Sequence, residues 1–431
     1  MKNPFCTTLP VEHGGFSNRK DEVDQVCDSI ARYGQSVAII GEPRTGKTSL
    51  LKYIQTQEVG MKLFGDDARN LIFSFLDFRT FDSVTFREFW ERGLAPCVNR
   101  MEISNNNNFL SSYKKFKDSN YSSAYLEEVI KQIHLSGQKL VVLIDEFDTA
   151  ISRTVINNRE LVFGSIRSFS STSKGALIFV IAITCDLVTL EELARPDNKL
   201  GSQYFNTFMP VHLSAFDRSA IDEILRAGQF NNDDANFIEF IAGGHPYFIQ
   251  SAASLLWNSY KTESLGALQR AEAVSQKLTK VINPTLHFIW NRWTPEMRLA
   301  FTLVALTELP RIGNMKFRME TLNEKKIDLA DEILTLRNMG YICEGNGNGS
   351  EWMINGKILM WFLLERIRAG INKKDDLGEW LRLNGWNGFF TNKQKEEILE
   401  MAKLSAKWFG ETLVKGFGAL LPELIKKSLG I

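Results

Sequence analysis

Cysteine is scarce and unpatterned in this chain: Cys6, Cys27, Cys97, Cys185 and Cys343 are scattered with no CxxC spacing. That argues against a zinc site and against a disulfide framework, and it fits a reducing compartment. An excess of either charge is also missing, with 51 basic and 51 acidic side chains. No global attraction to nucleic acid or to an anionic membrane follows from such a balance. Nor does any apolar run approach the length that spans a bilayer, and the opening MKNPFCTTLPVEHGG lacks the apolar centre of a signal peptide. The expectation is a cytoplasmic protein with no transmembrane segment. Internal repeats are absent, and 431 residues are enough for roughly two to four domains with a sizeable core.

What is present starts with Gly41 to Thr48, GEPRTGKT, which fits the phosphate-loop pattern GxxxxGKT. Its glycines let the backbone curl so that several N–H groups face phosphate oxygens; Lys47 reaches the β and γ oxygens and Thr48 offers a hydroxyl to Mg2+. The apolar Ser36 to Ile40 before it and the amphipathic stretch from Thr48 to Ile54 after it supply the strand–loop–helix order the motif requires. Gly41, Glu42, Pro43, Arg44, Thr45, Gly46, Lys47, Thr48 and Ser49 are therefore the candidate ATP/ADP-binding segment.

About a hundred positions later, Leu140 to Ile144 reads as a buried parallel strand, and Asp145 and Glu146 emerge at its carboxyl end. Asp145 would join Thr48 in holding the metal, and Glu146 would orient or deprotonate the attacking water, which gives hydrolysis. An acidic surface turn after a core strand is the plain alternative. Two more apolar stretches, Leu71 to Leu76 before Asp77 and Leu177 to Ile183 before Thr184, complete a parallel sheet, with Phe208 to Leu213 as a last strand that Pro210 pushes toward an edge. This arrangement resembles the additional-strand class of P-loop ATPases, in which the residue at the place of Thr184 senses the γ-phosphate; otherwise Thr184 simply closes its strand.

Around these motifs, Arg19 to Arg32 is expected to form a helix with Val23, Val26, Cys27 and Ile30 on one face, and Ser104 to Ser123 to contain a long Asn- and Ser-rich loop. Asp217 to Trp257 has helical spacing interrupted by Gly243-Gly-His-Pro246.

Taken in order, NPF near the start, an arginine before a helix, IIGEPRTGKTSLL, LIDEFD, the strand ending at Thr184, VHLSAFD and GGHPYFIQ resemble the archaeal-ATPase and STAND branch of AAA+-related proteins, over roughly the first 260 residues and more weakly to about 370. The resemblance implies an α/β fold: a P-loop NTPase parallel sheet over 1–215, a helical lid over 216–281, a winged-helix domain over 282–370 and a helical C-terminal adaptor or effector segment over 371–431. It also implies that Pro246, with His245 beside it, contacts nucleotide from the lid, while glycine then proline is equally ordinary helix-entry chemistry. Arg19 would lie near the nucleotide, although the family often has glycine where Asn18 stands; asparagine tolerates the positive φ such a turn needs. Arg153, Arg159 and Arg167 follow the acidic motif where an arginine finger could stand, or are solvated helix residues.

Within 282–370, Asp328 to Met339 reads as a helix stopped by Gly340, followed by strands Tyr341 to Cys343 and Glu351 to Ile354 around a glycine-rich wing, Gly345 to Gly349. Asp328, Asp331 and Glu332 share that helix with Arg337, which is no phosphate-binding face. The C-terminal part clusters Trp380, Leu381, Trp386, Phe389 and Phe390, then gives helical spacing from Asn392 to Ile431 with Trp408, Phe409 and Phe417 among lysines. It reads as a hairpin folded on the preceding domain, as a partner-binding adaptor or as an interfacial membrane helix. Resemblance implies an ATP-driven STAND switch that forms a homo-oligomer in its ATP state and recruits an effector after a protein trigger, often in prokaryotic antiviral defence. The alternative is a nucleic-acid-associated AAA+ ATPase, of origin-recognition or transposition-regulator type, that places its winged helix on DNA.

Overall fold

The computed structural model describes residues 2–5, 7, 9–10, 16, 19–153, 155–195, 203–262, 266–312, 325–345, 352–370 and 376–400. It packs as two bodies: Pro10–Glu42 with Gly46–Leu213, and Ser214–Ile431 with Met1–Leu9 and Pro43–Thr45.

Five strands build the first body: β1 (Val37–Ile40), β2 (Leu71–Asp77), β3 (Lys139–Asp145), β4 (Leu177–Ile183) and β5 (Met209–His212). All are parallel, in the order β2-β3-β4-β1-β5, so β4 lies between the phosphate-loop strand and the acidic strand. Pleating sends successive residues to opposite faces. Leu140, Val142 and Ile144 of β3 join one apolar cluster and Val141 and Leu143 the other, and both faces are covered. Such double burial is what makes these strands read as unbroken apolar runs. Pro210 pairs opposite Ala38 on β5, an edge strand, where its missing N–H costs no ladder bond on the outer side.

Helix Lys20–Asp28 continues through a π-helical turn, Ser29–Tyr33, and buries Val23, Val26, Cys27 and Ile30 as their spacing predicts. The long loop expected at Ser104 to Ser123 is corrected: Asn107–Asp118 is a helix. Phe109, Ser112 and Phe116 fall on one buried face, and the Asn106 side chain accepts a hydrogen bond from the Phe109 N–H at 3.1 Å. Polar composition hid a buried face of Phe109, Ser112 and Phe116 at i, i+3 and i+7, with a side-chain N-cap in front of it.

The second body has one apolar cluster running from Phe5 and Ile221 to Ile398. Helices Arg218–Arg226 and Asn232–Ala242 start at the N-caps Asp217 and Asn231, and Pro246–Thr262 follows. The boundary expected at 281/282 falls inside the continuous helix Ala267–Arg292. Helices Pro295–Ile312 and Ala330–Asn338 lead into an antiparallel pair, β6 (Ile342–Glu344) and β7 (Trp352–Ile354), and then into Lys357–Gly370. Within the expected wing, 346–349 lie outside the described residues, as do Trp408, Phe409 and Phe417 of the expected terminal helix; 392–400 are helical.

Gly243 and Gly244 have a packing reason. A Cβ on Gly243, at φ 59°, would lie 2.7 Å from the Asn355 backbone, and one on Gly244 would lie 2.4 Å from the Phe216 carbonyl oxygen. Trp380, Leu381, Trp386 and Phe390 are buried in this core, and the Trp386 indole donates to the Pro295 carbonyl at 2.8 Å. Here the aromatic cluster is part of the fold. Among the described residues no helix is long and apolar enough to cross a membrane.

Candidate active site at the strand ends

The carboxyl ends of β1, β3 and β4 bring the two motifs together, as expected for a ligand site on an open parallel sheet. The Gly41 N–H donates to the Ile183 carbonyl at 3.1 Å, which fixes the start of the loop against the end of β4. Positive φ at Arg44 (62°) and Gly46 (102°) curls the loop, and Gly46 is the N-cap of helix Lys47–Gln55. Backbone N–H groups at such a helix start form a site for anions. Pro43–Thr45 cluster with the second body, where the Arg44 guanidinium lies 4.3 Å from the Tyr247 ring centroid.

Lys47 is buried, and its Nζ donates to the carbonyls of Gly41 at 2.7 Å and Glu42 at 3.0 Å. Burial holds its basicity below that of an ordinary lysine, against the opposing charges of Asp148, Glu146, Glu42 and Asp145. Its direct partners are neutral carbonyls, which a phosphate oxygen can replace with a charge-assisted contact. Ser49 is buried two residues on, in the first turn of the helix.

Asp145 is only 1% exposed and accepts the Thr48 hydroxyl at 2.7 Å, so the two candidate metal ligands are already in contact. Burial pushes the Asp145 carboxyl above the usual range; the Thr48 hydrogen bond opposes that and the charge of Glu146 adds to it. One hydroxyl and one carboxylate fit Mg2+, which retains water and takes its other ligands from phosphate. Among the described residues there is no cluster of three metal-ligating side chains, and such a site needs none.

Glu146 stands at φ 57° as the N-cap of helix Phe147–Ser152, and its Oε2 accepts the Thr149 hydroxyl at 3.1 Å. A left-handed glutamate is strained, and strain of this kind collects at functional sites. Thr184, one residue past β4, donates through its N–H at 2.9 Å and through its hydroxyl to one oxygen of Asp148.

Asp148 and Arg79 were not singled out from the sequence. Asp148 is the last residue of LIDEFD, three positions after Asp145 and at the start of helix Phe147–Ser152, and its place in that motif was its signal. Arg79 follows β2, chelates Asp77 at 2.9 and 3.0 Å and reaches Asp145 Oδ2 at 3.5 Å. Burial of Asp77 is outweighed by these Arg79 contacts, so its carboxyl titrates below the usual range.

Arg19 is buried as the N-cap of Lys20–Asp28, at φ 146°, and bonds Glu22 at 2.8 Å; Asn18, where a positive φ is expected, lies outside the described residues. His245 belongs to the second body, stacked on Phe248 with centroids 4.0 Å apart, and Pro246 is the first residue of its helix. Arg159 donates to the Ile151 carbonyl at 2.5 Å, the work of a helix C-cap.

Residues 16–252 match the model of an ATPase domain predominantly from Archaea. The chain belongs to that family. It is a nucleotide-binding P-loop ATPase, and the loop, the acidic strand end and Thr184 all fall inside the matched span. No protein of curated function matches this archaeal-type ATPase. Among solved structures, the Walker-type ATPase of Pyrococcus abyssi is similar at 16% identity, covering 83% of this chain and 99% of that one with a TM-score of 0.48. The ORC2 protein of Aeropyrum pernix, in its ADPNP–ADP complexes, is similar at 12% identity, covering 86% and 98% with a TM-score of 0.42.

Proposed function

We propose that this ATPase is a nucleotide-dependent switch of the STAND type, which assembles with copies of itself or recruits a partner when it holds ATP, in signalling of the kind used in prokaryotic defence. The observation that carries the reading is the double hydrogen bond from Thr184 to Asp148 at the end of β4. A switch requires a group whose partners change with the nucleotide, because ATP shifts an equilibrium only by binding one state better than the other. Thr184, bonded to a carboxylate and placed at the strand end, is such a group: a γ-phosphate would compete with Asp148 for its hydroxyl.

In the reaction, Lys47 and the loop N–H groups hold the triphosphate, Glu146 takes or orients the proton of the attacking water, and Arg79 fixes Asp77 and Asp145. Thr48 and Asp145 would hold Mg2+, which when bound screens the charge on the β and γ oxygens. Arg19, His245 and Pro246 remain proposed nucleotide contacts on resemblance alone.

Helices Pro295–Ile312 and Ala330–Asn338 with the β6–β7 pair are read as a winged helix that serves as a protein contact. What supports this over DNA binding is that Arg337 pairs with Glu344 at 2.9 Å and Lys325 with Asp328 at 3.3 Å, so bases on this element already have acidic partners. The test is the solution mass of the Glu146→Gln protein, cytoplasmic in expectation and handled without detergent, with Mg-ATP and with ADP. A defined assembly with ATP alone supports the switch. A monomer under both nucleotides that binds DNA in a salt-dependent way would favour the nucleic-acid reading.

A further inference from the structure

Four helices of the second body, Ala267–Arg292, Pro295–Ile312, Lys357–Gly370 and Asp376–Leu383, line an open cleft of about 590 Å³. Its walls include Phe362 and Trp380, and Arg298 and Arg366 reach it from different helices. Among the described residues neither guanidinium has a carboxylate within ion-pair distance, and the Arg298 Nε is buried without a hydrogen-bond partner. Glu365 also lines the cleft and pairs with neither.

Half-buried arginines are normally paired, because a guanidinium does not shed its charge. Here burial, and then the charge of Arg298, hold Arg366 below its usual basicity. The Arg366 Nη1 sits 3.1 Å from the His287 Nδ1, and the guanidinium lies 5.4 and 5.6 Å from the Trp290 and Phe362 ring centroids. Donation to Nδ1 requires a neutral imidazole, so His287 positions Arg366 without neutralising it. Two cations thus line one cleft, close enough for the charge of one to act on the other, over an apolar wall. The fold gains nothing from that repulsion.

The missing charge is two negatives, which a phosphate monoester supplies and a carboxylate does not. The cleft volume lies within the range of small-molecule sites. We propose that this cleft binds a small organic phosphate, its phosphoryl group between Arg298 and Arg366 and its apolar remainder against Phe362 and Trp380. This site lies wholly within the second body and does not depend on the switch reading.

The test is a calorimetric titration of phenyl phosphate into the full-length protein kept saturated with ADP, so that the phosphate loop does not compete. Saturable binding of one equivalent per chain is expected, weakened about tenfold or more by Arg366→Gln or Arg298→Gln, with ADP affinity unchanged. Inorganic phosphate should bind more weakly than phenyl phosphate. Arg298→Gln leaves the ring contacts of Arg366 intact, so it gives the answer if Arg366→Gln does not fold. No saturation by about 10 mM, or binding indifferent to both substitutions, would overturn the proposal. Equal affinity for inorganic and phenyl phosphate would overturn the role of the aromatic wall.

Discussion

One carboxylate oxygen of Asp148 accepts both the backbone N–H and the hydroxyl of Thr184, tying the first turn after the acidic strand to the end of the next strand. If the pair acts as a unit, its two members should not contribute independently. Asp148→Asn and Thr184→Val are each expected to lower turnover with little effect on ADP affinity. The double variant should be less impaired than the product of the singles, with a coupling of about 1–2 kcal/mol from the double-mutant cycle of turnover measurements. Effects that multiply would separate the two residues.

Lys47 is the buried cation of the loop, and its present partners are two carbonyls. Lys47→Ala should weaken ATP binding by roughly a hundredfold or more, since a charge-assisted contact to phosphate disappears inside a buried site. Equilibrium titration with a fluorescent ATP analogue checks this. Unchanged affinity would refute the loop assignment.

Asp145 carries a pH signature. Its folded carboxyl lies above the unfolded value of about 3.9, so the folded state binds the proton more tightly, and this group's contribution to stability is fully present below that value and lost as pH rises through the folded one. Metal binding runs the opposite way, because it needs the ionised form. The Mg2+ dependence of ADP affinity should therefore weaken as pH falls toward the raised Asp145 value. Asp145→Asn should remove the Mg2+ effect at every pH.

Glycine substitutions separate crowded from open positions in the second body. Gly340 stands at φ 84°, and a Cβ there would lie 2.3 Å from the Ala215 Cβ; Gly378, within its helix, has nothing within 4 Å. Gly340→Ala is expected to destabilise by about 2–4 kcal/mol through left-handed strain and overpacking. Gly378→Ala should stabilise by up to about 1 kcal/mol. Denaturant midpoints compare the two directly.

Much of the first body was legible because β3 and β4 are buried on both faces and read as unbroken apolar runs, while Lys47, Thr48, Asp145 and Glu146 sit in motifs whose spacing is set by the loop and the strand end. Asp148 and Arg79 escaped for a different reason. Their roles come from tertiary placement, Asp77 opposite Asp145 in the sheet and Thr184 against Asp148 of the helix Phe147–Ser152. The helix at Asn107–Asp118 was hidden by its polar residues, and the expected lid boundary by a helix that runs straight through it. Arg298 and Arg366 were unreadable as a pair, since each alone is an ordinary helix arginine and only folding brings them to one cleft.

Glu146 carries the central claim, that hydrolysis occurs at the end of β3. The most direct measurement is single-turnover hydrolysis by Glu146→Gln protein preloaded with Mg-ATP, beside the wild type. Retained ATP with hydrolysis slowed by about a hundredfold or more is predicted, because the amide keeps the shape of the site and loses the base. Hydrolysis at the wild-type rate, with ATP still tightly bound, would mean that another residue positions the water and would contradict the account.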